Sequence, residues 1–152
     1  MTSLRNSILA TLVYYDILDF PLTLLEVNKY LINPGRLMHL SSGVGEIDLA
    51  NLNTELSRLV DSSLIGEKNG FYFLSGRERL YDVRIERQKI ADQKWKKFIR
   101  LAKWLTWIPY VRGFLACGSM ALGNTTKNSD FDVFVITSPG RLYTCRLFLW
   151  GA

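Results

Sequence analysis

Histidine and cysteine are nearly missing from this chain. Of 152 residues, one is histidine (His39) and two are cysteine (Cys117 and Cys145). Two thiols are too few for a disulfide framework, so a reduced, cytoplasmic protein is the expectation. Nothing near His39 completes a zinc set, and no Ser-His-Asp or Cys-His site can be built around it. Long apolar runs are missing too. The longest, Trp104–Val111 and Phe114–Gly123, are broken by Pro109 or by glycine and fall well short of the ~20 residues of a membrane span. The N-terminal Met-Thr-Ser-Leu-Arg-Asn leads into helix-like sequence holding Asp16 and Asp19, which does not read as a signal peptide. What remains is ordinary globular composition, 48% hydrophobic and 22% charged. That excludes wholesale disorder, collagen and low-complexity fibre, and the length suits one domain or two small ones.

The net charge of +5 is unevenly spread. Residues 1–76 hold five basic and eight acidic groups, residues 77–112 eleven basic and four acidic, and residues 113–152 three basic and two acidic. A basic middle section between near-neutral flanks points either to a local anionic partner or to a solvated helix face.

Apolar spacing through Leu4, Ile8, Leu9, Leu12, Val13, Ile17 and Leu18 predicts a helix over Ser3–Asp19 with one buried face. Thr23, with Glu26 three residues on, forms a capping box for a second helix running to about Leu31. Asn33-Pro34-Gly35 is a turn and Ser41–Gly45 a loop. Asp48 caps a third helix from Leu49 to about Ser62, with Leu49, Leu52, Leu56, Leu59 and Val60 inward. Asn69-Gly70 between Leu64–Glu67 and Phe71–Leu74 predicts a hairpin. Three helices and a hairpin follow the order of a winged-helix-like module. Asp48, Glu55 and Asp61 stand against a lone Arg58 on the third helix. Like charge opposes phosphate binding, so packing or partner docking fits residues 1–76 better than nucleic-acid reading.

From Arg77 to about Thr106 there is no Pro or Gly. Leu80, Val83, Ile90, Trp95, Phe98, Leu101, Ala102 and Leu105 lie near one face, with Arg87 interrupting the stripe. The expectation is a long amphipathic linking helix, with Trp104 and Trp107 read as core residues in preference to base-stacking platforms. Pro109 stops it.

Tyr110–Cys117 reads as a strand ending in Gly118-Ser119. Met120–Gly123 is a helical turn, 124–129 a polar loop, and Asp130–Ile136 a second strand. In a strand, i and i+2 share a side, so Asp130 and Asp132 present two carboxylates together while Phe131 points away. Paired carboxylates repel. A hard divalent cation, Mg2+ or Mn2+, relieves that repulsion, although solvated acids at a strand end would look the same. A glycine after a strand permits a sharp turn and close ligand approach. Gly118–Gly123 matches the start of a phosphate loop, but the lysine that must follow the second glycine is replaced by Asn124, which excludes that reading. Cys117 and Cys145 read as buried structural thiols.

Gly118-Ser119, ten intervening residues, then Asp130-Phe131-Asp132 at the head of an apolar strand resembles the nucleotidyltransferase superfamily signature. This is the fold shared by DNA polymerase beta and the small stand-alone domains of bacteria and archaea. The fuller string, Gly-Ser-x-Ala-x-Gly and then Ser129-Asp130-x-Asp132, is similar to the small prokaryotic members, and the likeness covers about residues 108–150. It implies that Gly118 and Ser119 hold a nucleoside triphosphate. It also implies that Asp130 and Asp132 are the catalytic acids binding Mg2+ or Mn2+, with Asn128 and Ser129 shaping the turn before them. Family members use a third carboxylate on a later strand, and no acid follows Asp132. A truncated enzyme and a degenerate domain are both open.

The expected fold is thus α+β: a winged-helix-like module (1–76), a linking helix (77–107) and the N-terminal part of an incomplete α/β nucleotidyltransferase domain (108–152). The expected function is metal-dependent transfer of a nucleoside monophosphate from NTP to an unknown acceptor. The alternative is a DNA-binding regulator or interaction module with a degenerate transferase-like half. No membrane partner is expected.

Overall fold

The computed structural model describes residues 2–32, 48–130 and 132–150. The turn expected at 33–35, the loop at 41–45, His39 and Phe131 lie outside the described residues. The chain is mixed α and β, and its contacts gather into two units, Met1–Arg84 and Ile85–Ala152. Among the described residues no helix is long and apolar enough to cross a membrane.

The first unit contains α1 (Thr2–Asp16), β1 (Leu22–Thr23), α2 (Leu24–Tyr30), α3 (Leu49–Asp61), β2 (Ile65–Lys68), β3 (Phe71–Leu74) and the first turns of α4 (Arg79–Leu105). Helix α1 ends three residues before Asp19. There the backbone turns left-handed, at φ +49°, and the Phe20 amide donates back to the Tyr15 carbonyl. Ile8 and Leu12 therefore stay buried while Ile17, expected inward, is 78% exposed.

The Asp48 carboxylate caps α3 by accepting from the Ala50 amide at 3.0 Å. Leu52, Leu56 and Leu59 are its buried residues. The hairpin closes over Asn69 (φ +53°) and Gly70 (φ +81°). Two consecutive left-handed residues match the twist of a two-residue loop. Strand β1 pairs with the other side of β3, giving an antiparallel sheet in the order β1-β3-β2. The core joins Ile8, Leu12, Phe20, Leu22, Val27, Leu31, Leu52, Leu56, Leu59 and Ile65. Each such side chain contributes ~1.5–3 kcal/mol on burial.

Glu26 ties this unit together. One carboxylate oxygen accepts from the Thr23 amide at 2.9 Å and from its hydroxyl at 3.2 Å. The Thr23 hydroxyl in turn accepts from the Glu26 amide at 3.3 Å, completing the capping box. The other carboxylate oxygen accepts from the Arg84 guanidinium at 2.7 Å. That guanidinium sits 3.6 Å from the Phe20 ring centre. Burial pulls the Arg84 pKa down, and Glu26 opposes the shift.

The second unit holds the rest of α4, then β4 (Val111–Ala116), α5 (Gly118–Ala121), β5 (Val133–Thr137) and α6 (Leu142–Trp150). Strands β4 and β5 are antiparallel, with Ala116 opposite Val133, Phe114 opposite Val135 and a bulge between Val111 and Gly113. Leu115, Phe134 and Ile136 are exposed. Val135 and Thr137 line an apolar pocket of about 280 Å3 with Leu142, Cys145 and Leu149. Cys145 is fully buried, as expected.

Trp104 and Trp107 are not core residues: they are 78% and 87% exposed. At 3.6 residues per turn they fall on the side of Lys96 and Arg100, whereas the buried positions of this stretch are Ala91 and Phe98.

Replacing Glu26 by Ala removes a cap and strands a buried cation. The expected loss in urea unfolding is about 3 kcal/mol, most of it from the unpaired charge. Combining Glu26→Gln with Arg84→Met retains a cap acceptor and removes the cation, and should recover most of that stability. A loss well under 1 kcal/mol for Glu26→Ala would contradict the role assigned to this side chain.

Candidate functional site

Strand β4 is apolar up to Ala116, and the chain then turns at Gly118. This residue adopts φ +63°, a left-handed conformation that costs other residues ~1–2 kcal/mol. One helical turn, α5, follows. Two residues past its end Gly123 is again left-handed (φ +67°), and the Asn124 amide donates to the Ser119 carbonyl at 2.8 Å. Cys117 is half-buried and lies just beyond the strand, not within it.

Beyond the last ladder pair, the Cys117 amide donates to the Asp132 carbonyl at 2.8 Å. That bond brings the two chain segments together one residue past the strands. A Cβ built on Gly118 would stand 2.5 Å from an Asp132 carboxylate oxygen and 3.4 Å from its carboxyl carbon. Real Cβ atoms essentially never come so close. The Asp132 carboxylate therefore lies directly against the bare face of Gly118. Two of the four expected site residues meet. Ser119 is the next residue along, half-buried in α5.

Asp130 is placed differently from the expectation. Strand β5 begins at Val133, not at Asp130. Pairing cannot extend further back, because β4 ends at Ala116 and gives way to the turn at Gly118. The i, i+2 rule holds within a strand, so it does not set the relation of Asp130 to Asp132. Both acids are exposed, and among the described residues neither is ion-paired with a cation.

The loop between glycine and acids is held by α4, which the residue pattern did not reveal. The Lys94 ammonium donates to the Ser129 carbonyl at 2.5 Å and to the Thr125 hydroxyl at 3.5 Å. The Arg87 guanidinium donates to the Asn124 side-chain carbonyl at 2.9 Å. Thr125 is fully buried. The Ser129 hydroxyl accepts from the Thr126 amide at 3.0 Å, closing a tight turn. Lys127 is exposed. A signal for the brace was present. Arg87, Ala91, Lys94 and Phe98 recur at spacings of four, three and four, which is one helix face. The Arg87 that broke the apolar stripe marks it.

Chemically, Asp130 and Asp132 supply hard anionic oxygens. Mg2+ commonly takes one or two carboxylates and completes its shell with water and substrate phosphates. The donor type suits such an ion, and the absence of a side chain at Gly118 is what lets the Asp132 carboxylate stand there. Among the described residues no three His, Cys, Asp or Glu side chains gather into one group. In comparison with known proteins, no family model, no curated protein and no solved structure matches this chain.

Two substitutions test this arrangement. Gly118→Ala combines left-handed strain with displacement of the Asp132 carboxylate, and should cost about 2–3 kcal/mol in urea unfolding. Gly123→Ala is the control. It shares the positive φ but meets nothing within 4 Å, so it should cost only the strain. Lys94→Met removes a charge-assisted donor worth ~1.5–3 kcal/mol. Faster amide exchange at Thr126 and Ser129, with β4 and β5 still protected, is the expected signature. Unchanged exchange in that loop would show that Lys94 does not brace it.

Proposed function

We propose that the protein is a metal-dependent nucleotidyltransferase, or the N-terminal part of one, moving a nucleoside monophosphate from a nucleoside triphosphate to an acceptor. On this reading residues 108–152 are the first half of an α/β nucleotidyltransferase domain, residues 1–76 a winged-helix-like module and 77–107 the helix that links them. The observation that carries it is the approach of the Asp132 carboxylate to Gly118, a close packing of acid and glycine that the resemblance requires. Gly118 and Ser119 would hold the triphosphate. Asp130 and Asp132 would hold Mg2+ or Mn2+ against it. The ion, when bound, supplies charge stabilisation for the attacking and leaving oxygens. The chain's own part is to present two carboxylates beside the Gly118 turn and to hold the 124–129 loop that leads into them.

The order α1-β1-α2-α3-β2-β3 favours a second reading, a DNA-binding regulator with a degenerate transferase half. Asp48 and Asp61 are exposed at the two ends of α3, with Arg58 the helix's one exposed cation. That charge balance opposes phosphate, and the first reading is preferred.

Isothermal titration with ATP and Mg2+ tests the assignment. Binding should need the metal, and the Asp130→Asn, Asp132→Asn double variant should weaken it at least about tenfold, or 1.4 kcal/mol. Equal binding by the parent and this variant would remove the metal site and the reading with it.

A further inference from the structure

Helix α4 sorts its cations onto two sides. Residues 88–107 hold six basic groups and one acid, Asp92. Lys94 is turned to the 124–129 loop. The other five, Lys89, Lys96, Lys97, Arg100 and Lys103, are all exposed. Among the described residues none of these five is ion-paired. Lys89, Lys96, Arg100 and Lys103 are separated by seven, four and three residues, which sets them along one side of a helix. The next step of four reaches Trp107, where the chain still turns helically through the Thr106 and Trp107 amides. Trp104 stands beside it, and both indoles project into solvent.

This row is about 21 Å long at 1.5 Å per residue. Asp92 stands between Lys89 and Lys96 on the same side, and the four cations against that one acid leave a net positive stripe that calls for a polyanion. Two exposed indoles at its end call for flat partners. We propose that this side of α4, from Lys89 to Trp107, binds single-stranded nucleic acid, with phosphates along the lysines and arginine and unpaired bases stacked on Trp104 and Trp107. A duplex satisfies the cations but hides its base faces. A lipid surface satisfies the charge but needs an apolar face along the helix. Here Ala91 and Phe98 are buried on the opposite side, and the outward side is cationic along its length, with Ile99 at its flank and the two indoles at its end as exposed apolar groups, not a continuous apolar face. The inference stands on α4 alone and does not depend on the metal site.

Fluorescence anisotropy with an end-labelled oligonucleotide of about 20 residues, single-stranded and as a duplex, tests it across a salt series. The single strand should bind more tightly than the duplex. Its affinity should fall linearly on logarithmic axes, with a slope of about −0.7 per phosphate neutralised. Lys96→Ala with Arg100→Ala should weaken binding about tenfold or more and flatten that slope by about 1.4, the share of two neutralised phosphates. Trp104→Ala with Trp107→Ala should weaken binding about tenfold and leave the slope unchanged, whereas Phe at both positions retains most of the affinity. Far-ultraviolet circular dichroism of each variant checks that the helix persists. No single-strand binding, or variants that bind like the parent, would overturn the proposal. So would co-sedimentation with phosphatidylserine vesicles in the absence of oligonucleotide binding, which assigns the surface to lipid. An Asp130→Asn, Asp132→Asn protein should bind the oligonucleotide normally, so this test and that of the metal site fail separately.

Discussion

The second unit is organised around one close approach: a carboxylate, Asp132, lying against a residue that has no side chain, Gly118. Only glycine leaves the space, and its left-handed backbone turns the chain at that point. The Cys117–Asp132 hydrogen bond joins the two segments where the strand ladder stops, and it sets the depth of the approach. Any chemistry that uses the acid and the open backbone together must use this geometry.

Support for that approach comes from a helix far away in sequence. Lys94 and Arg87 hold the 124–129 loop through hydrogen bonds to Ser129, Thr125 and Asn124. In a partly dry setting a charge-assisted bond to a carbonyl is among the stronger local restraints. The same helix displays unpaired cations and two indoles on its other side. One element thus both steadies the candidate site and offers a surface. Its basic composition has two physical meanings that a count of charges merges.

The first unit obeys a simpler logic. Its aliphatic core is non-directional, and a directional knot is supplied by Glu26, shared between the cap of α2 and the buried guanidinium of Arg84. A charge buried near Phe20 is tolerable because its counter-ion is already held in place by the capping box. The knot places the start of α4 within this unit. None of these interactions bears on the metal chemistry proposed for the second unit, which rests on residues 118–132 alone.

Much was legible in the residues. Local hydrogen-bonding rules located the Thr23–Glu26 box, the Asp48 cap and the Asn69-Gly70 turn, because each is settled within four residues by backbone geometry. Periodicity found the helices, and glycine after an apolar run found the turn at Gly118. Tertiary structure alone decided where β5 begins, since a strand lasts only while its partner does and β4 ends at Ala116. It alone turned Arg87 and Lys94 onto the loop and left Trp104 and Trp107 in solvent. Amphipathic spacing names the face a side chain occupies; whether something packs against that face depends on segments distant in the chain.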